Sequence, residues 1–217
     1  MKLQEVFDQL IAGELSQISV GGQSQGVINA VNQNAVVNHI NMGLAYLFER
    51  FTLKEGTLSI PLVPDQTVYT ISSTDFSKVL SVKGDSGTEF SLNDHFDLNS
   101  VFTTAYNTLF VPLSLMDETQ KLYIHYRATH PKFDTSEDGD IDPEFDEVEL
   151  PYAFLEPLCY FVASRVYHPI GMNQGGQMTI GNTYSAKLEQ ACQRLEVSNL
   201  SIDQGSGNDR FTRNGWV

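Results

Sequence analysis

The sequence predicts an α+β protein: a helical bundle with a small antiparallel β insertion domain and an extended C-terminal tail. Three observations predict it. Apolar residues recur at helical spacing in 34–51 and again in 150–198, and the hydrophobic period drops to two between residues 55 and 130. The stretch 201–217, SIDQGSGNDRFTRNGWV, is too polar to build a core by itself. The domain reading that follows is 1–54 with 131–200 as a discontinuous helical domain, 55–130 as the β insertion domain, and 201–217 as a flexible C-terminal tail.

In chain order, a helix over 3–13 places Leu3, Val6, Phe7, Leu10 and Ile11 on one face, and Gly13 loosens its end. Its charges, Glu5, Asp8 and Glu14, and its lack of a continuous apolar centre argue against a signal peptide. Ser16 to Gln33 is polar and rich in glycine, which predicts a long mobile loop. Val36, Ile40, Leu44, Leu47 and Phe51 then mark a second helix. Runs at 57–63, 66–71, 78–82, 89–92, 108–113 and 121–129 are short, β-branched or aromatic, and bounded by turn residues, as strands of a small sheet or sandwich are. In the last of them Leu122, Ile124 and Tyr126 alternate with Tyr123, His125 and Arg127. Pro61 and Pro112 imply edge positions or strand breaks, because proline cannot donate to a sheet ladder.

From Tyr152 to Tyr167 only Glu156, Pro157, Ser164 and Arg165 interrupt an apolar run, and a helix apolar on nearly all sides belongs in a core. Pro151 suits a first helical position; Pro157 lies inside the pattern and should kink the helix or delay its start. The segment is too short and too interrupted to span a bilayer. A glycine-rich break over 169–181 leads to a second helix, with Asn182 as its candidate N-cap and Tyr184, Leu188, Ala191 and Leu195 on one stripe. The two helices read as a hairpin.

The 13 basic and 27 acidic residues among 217 give a net charge of −14, which argues against gripping nucleic acid through its phosphates. Catalytic motifs are wanting. His39, His95, His125, His130 and His168 form no HExxH, Cys159 and Cys192 form no CxxC, and neither GxSxG nor a phosphate loop occurs. The two cysteines read as buried free thiols. Glu156 and Arg165 read as structural ion-pair or interface residues, and no catalytic, cofactor or metal residue is assigned. Nine of the sixteen residues from Asp134 to Glu149 are acidic and none is basic. Asp134, Ser136, Asp138, Gly139, Asp140 and Asp142 imitate the start of an EF-hand loop, but Phe145 stands where the bidentate Glu is required. A solvated loop is the plainer reading. In the tail, Arg210, Phe211, Arg213 and Trp216 are interface-type residues and the candidate partner-binding set.

The stretch LPYAFLEPLCYFVASRVYHPIGM, a Gly-rich loop and then NTYSAKLEQACQRL resembles the C-terminal helical hairpin of head-to-tail adaptor proteins of tailed bacteriophages, also called connector proteins or tail accessory factors. The matching positions are Leu150, Pro151, Ala163, Arg165, Tyr184, Ala186, Leu188 and Ala191, and INMGLAYLFERFTLKEGTLSI at 40–60 agrees with the family's helix-to-strand passage. The strong part covers about a quarter of the chain and is a packing pattern rather than a chemical one. The resemblance implies a structural virion protein at the neck between capsid and tail. Its implied partners are the portal protein, a tail nozzle or tube protein, and further copies of itself in a ring, typically twelvefold. Double-stranded DNA would pass through without specific binding, and no cofactor, enzyme activity or membrane is implied. In such a ring the acidic run would line the channel, with Asp138, Asp140 and Asp142 as candidates. The alternatives are a tail-borne peptidoglycan hydrolase using Glu156 with an acidic-loop partner, and a calcium-stabilised receptor-binding β module.

Overall fold

The computed structural model describes residues 1–16, 28, 32–136, 141–171 and 178–198. The chain is mixed α+β, with four α-helices and two antiparallel sheets among those residues. It divides into two compact units, Met1–Phe51 with His130–Val217, and Thr52–Thr129. The loop expected over 16–33 falls largely outside the described residues.

In the first unit, α1 (Leu3–Ala12) buries Leu3, Val6, Phe7 and Leu10 and closes on Gly13, whose N–H donates to the Gln9 carbonyl at 2.9 Å. The second helix, α2 (Gln33–Arg50), buries the predicted stripe of Val36, Ile40, Leu44 and Leu47. A 3-10 turn at Tyr152–Phe154 precedes α3 (Leu155–Gly171), and α4 (Met178–Val197) follows. Pro157 is the third residue of α3, in the first turn, where a backbone N–H has no acceptor inside the helix. It therefore delays the helix and does not kink it, and Pro151 stands before the turn at φ −60° and ψ 142°.

The apolar α3 packs against α1, α2 and α4. Glu156 near its start meets Arg194 near the end of α4, while Tyr167 stacks on Tyr184 near the start of α4, so the two helices run antiparallel as a hairpin. The expected start at Asn182 is corrected: α4 begins at Met178 and runs through Gly181. Glycine in a helix interior costs only about 1 kcal/mol relative to alanine. Gly181 is buried there. Gly43 lets α2 approach α3 closely, because a Cβ there would lie 2.7 Å from Leu158 Cδ1 and 3.1 Å from Phe161 Cδ1.

The second unit holds β1 (Glu55–Pro61), β2 (Val68–Thr70), β3 (Phe76–Lys83), β4 (Glu89–Phe90), β5 (Phe102–Ala105), β6 (Thr108–Phe110) and β7 (Lys121–Ala128). One sheet has the order β1-β7-β3-β4, the other β2-β6-β5, all pairs antiparallel. Residues of both sheets, among them Tyr69, Val79, Leu109, Leu122 and Ile124, meet in one apolar core. The β7 alternation holds for Leu122, Ile124 and Tyr126, but Arg127 on the opposite face is buried as well. Pro61 ends the edge strand β1; Pro112 lies beyond β6 and caps a 3-10 turn at Leu113–Asp117. The strand missed by pattern is β5: only Phe102 of its four residues is even half-buried, so no apolar alternation marks it, and backbone pairing to β6 makes it a strand. Among the described residues no helix is long and apolar enough to cross a membrane.

Candidate functional site

The acidic run is fastened by its backbone. Asn41 of α2 holds Phe133 at both ends: its Nδ2 donates to the Phe133 carbonyl at 2.9 Å and its Oδ1 accepts the Phe133 N–H at 3.0 Å. Thr135 donates to Asn38 Oδ1 at 2.8 Å, and Gln33 Nε2 donates to the Ile141 carbonyl at 3.2 Å. The chain then passes the start of α1. Lys2, the N-cap residue, makes no capping bond with its side chain; instead the Asp146 and Pro143 carbonyls accept the N–H groups of Leu3 and Gln4 at 3.0 and 2.8 Å. Two of the donors that a helix start leaves unpaired are thereby satisfied by the run itself.

The inward carbonyls leave the carboxylates outward. Asp134, Asp142, Glu144, Glu147 and Glu149 are exposed and Asp146 is half-buried. The Ser136 backbone N–H holds Asp134 below the usual carboxylate range, and the hydrogen bond from Lys2 does the same for Glu147. Of the three channel candidates, Asp142 is exposed and accepts the Glu144 N–H at 3.1 Å. Asp138 and Asp140 lie outside the described residues, with the middle of the EF-hand-like stretch. Among the described residues no group of three or more His, Cys, Asp or Glu could hold a metal ion.

On the hairpin, Glu156 accepts from Tyr160 at 2.8 Å and from Arg194 at 3.2 and 3.3 Å. The Tyr160 hydroxyl is pushed up to about 12, first by that bond to Glu156. The Arg165 guanidinium lies over the Phe161 ring at 5.1 Å. Cys159 and Cys192 are buried and free, and burial raises both thiols, Cys192 to about 11, which leaves little thiolate for nucleophilic chemistry. Arg210, Phe211, Arg213 and Trp216 lie outside the described residues.

Two features escaped pattern reading. Arg50 at the end of α2 binds Glu189 twice, at 2.6 and 2.8 Å, and Glu196 at 2.7 Å, tying α2 to α4. In the β unit, the loop after β4 presents Phe96 at 99% and Leu98 at 91% exposure. That loop is braced. Asp97 accepts from Ser91 Oγ at 2.6 Å and from the Asn99 N–H at 2.9 Å, Asp94 accepts the Phe96 N–H at 2.9 Å, and the fully buried Ser100 bonds the Asp94 N–H and the Ser91 carbonyl. The density of Asn, Asp and Ser in SLNDHFDLNS signals such a loop, but nothing in it says that Phe96 and Leu98 face water.

No protein-family model matches the chain, and no curated protein matches its sequence.

Proposed function

We propose that the chain is a head-to-tail adaptor of a tailed bacteriophage, a helical bundle with a β insertion that assembles as a ring beneath the portal, extends the DNA channel and gives the tail its docking surface. The observation that carries the reading is the acidic run: among its described residues, a stretch fastened to two helices with five carboxylates, Asp134, Asp142, Glu144, Glu147 and Glu149, exposed to solvent. Such a surface keeps an excess of negative charge in a fixed place, as a wall that DNA must pass without adhering requires, since carboxylates repel phosphates and outnumber the flanking Lys2 and Lys132. The sequence resemblance supports the same reading, because Ala163, Leu188 and Ala191, three of the residues that carry it, are buried in the hairpin. Phe96 and Leu98 add apolar surface on a braced loop, of the kind that assembling proteins keep exposed until a partner covers it.

Light scattering after size exclusion tests this on the purified chain, alone and mixed with the portal protein encoded by the same genome. The expected result is a stoichiometric complex with the portal ring. A chain that ignores the portal at micromolar concentration refutes the proposal.

A further inference from the structure

Three adjoining cavities follow one face of the α3–α4 hairpin, and Glu156 lines all of them. The largest of the three, of about 770 Å³, reaches Val197, the last residue of α4, and Ser198 beside it. Another, of about 430 Å³, is closed by Gln9 and Glu14 from α1 and its end, with Tyr152 at its edge. The surface between is partly apolar: Val197 is 86% exposed and Tyr152 75%.

Glu14 lines the second cavity, and one oxygen of its carboxylate, Oε2, is buried with no hydrogen-bond partner among the described residues. A carboxylate oxygen withdrawn from water without a donor is costly, and a guanidinium is the donor that best repairs it. The nearby cations are already engaged: Arg194 on Glu156, and Lys187 over the rings of Tyr160 and Tyr184 at 5.6 and 5.0 Å. Beyond Arg194 the sequence has only two more, Arg210 and Arg213, spaced three apart around Phe211 and followed by the single tryptophan, Trp216. The chain leaves α4 on the wall of the groove itself, and the twelve residues from Asn199 to Arg210 span about 40 Å at full extension, more than the roughly 30 Å length of α4.

We propose that the segment 210–216 docks back onto this groove of its own chain, with an arginine on Glu14 and with Phe211 and Trp216 covering the apolar surface beside Tyr152 and Tyr160. The occupant is chosen by charge and by reach: a cation is missing at Glu14, and the chain that leads to Arg210 and Arg213 leaves α4 at the groove's rim. This does not rest on the adaptor reading and holds for the free chain whatever its assembly. Any partner that uses Arg210, Phe211, Arg213 or Trp216 would first have to take them from this groove.

Trp216 is the only tryptophan, so intrinsic fluorescence reports the segment directly. The full chain is measured over a hundredfold dilution, with acrylamide as quencher, and compared with itself in urea. Docking predicts emission at shorter wavelength and quenching reduced severalfold in the native protein, independent of dilution. Glu14→Gln, and separately Arg210→Ser with Arg213→Ser, should return both readings to those of the unfolded chain. The arginine pair follows α4 in the sequence, so its substitution alters no residue of the described helices, which covers the case in which Glu14→Gln disturbs α1. A native Trp216 as quenchable as in urea overturns the proposal. So does protection that survives both sets of substitutions, and so does protection that fades on dilution, which would place the segment on another copy.

Discussion

Removing the Arg50 guanidinium tests whether α2 and α4, which both pack on α3, are also held to each other. Arg50 makes four charge-assisted or hydroxyl hydrogen bonds, two to Glu189, one to Glu196 and one to Tyr46. Bonds to charged groups contribute about 1.5–3 kcal/mol each when well shielded. The side chains here are 20% exposed for Arg50, 47% for Glu189 and 40% for Glu196, so water takes over much of that on deletion and surface pairing sets the lower bound. Arg50→Ala should therefore cost about 2 kcal/mol, equivalent to a fall in Tm of about 4–8 °C for a chain of this size. Arg50→Lys should cost about half as much, because an ammonium keeps the charge but not the fork that meets both Glu189 oxygens. Urea unfolding followed by circular dichroism at 222 nm reports the helices. The cycle Arg50→Ala with Glu189→Gln should give a coupling of about 1 kcal/mol that shrinks in 1 M salt. A coupling below about 0.3 kcal/mol at low salt, or Lys performing as well as Arg, would refute the clamp.

Asn41→Ala removes both bonds to Phe133, so the Phe133 amide should exchange with solvent about tenfold faster, equivalent to about 1.4 kcal/mol, while the core of α2 stays protected; unchanged exchange by NMR would show that the run is held elsewhere. Gly56→Ala places a Cβ 2.5 Å from Tyr126 Cζ, pushing the ring off its 3.0 Å bond to Asp75, and should cost about 2 kcal/mol in the β unit by urea titration, with a loss under about 0.5 kcal/mol counting against it. Asp85 is held below its ordinary value of 3.8, first by the Gln120 N–H and then by the Thr119 hydroxyl and the Lys121 N–H. Its folded-state pKa is depressed, so its contribution is complete above 3.8 and is lost as pH falls through the lower, folded-state value. A carboxyl carbon titration should give a midpoint under 3.8, and Asp85→Asn should remove that part of the acid sensitivity; a midpoint at or above 3.8 would be the contrary result.

Much of the fold was legible because burial and period coincide. Leu122, Ile124 and Tyr126 alternate and are buried, and Val36, Ile40, Leu44 and Leu47 recur at helical spacing and are buried. Where burial and period part, the pattern failed. The strand β5 shows three of its four residues to solvent, so only its backbone pairing defines it. At Gly181 the residue that reads as a helix breaker is inside the helix and buried, and local propensity, a matter of about 1 kcal/mol, does not decide against it. The partners of Glu156 and Arg50 were equally out of reach: each lies on another helix, 38 residues away for Glu156 and 139 and 146 for Arg50, and charge counting does not select among 27 carboxylates.

The acidic run shows that composition located a surface and not what holds it. Nine carboxylates in sixteen residues read as a solvated loop, and of the six that are described five are exposed and Asp146 is half-buried. The structure of the run comes from its other half, the carbonyls and amides of Phe133, Ile141, Pro143, Asp146 and Val148, which every residue possesses and no sequence pattern displays. Apart from the Thr135 hydroxyl and the Glu147 carboxylate, the fastening uses backbone on one side and α2 side chains or the start of α1 on the other, so it makes few demands on which other side chains face outward. At Glu144, whose carboxylate is exposed, the same fold would accept a neutral residue. Structural need does not account for that charge, and that is the physical reason to seek it in what the surface meets.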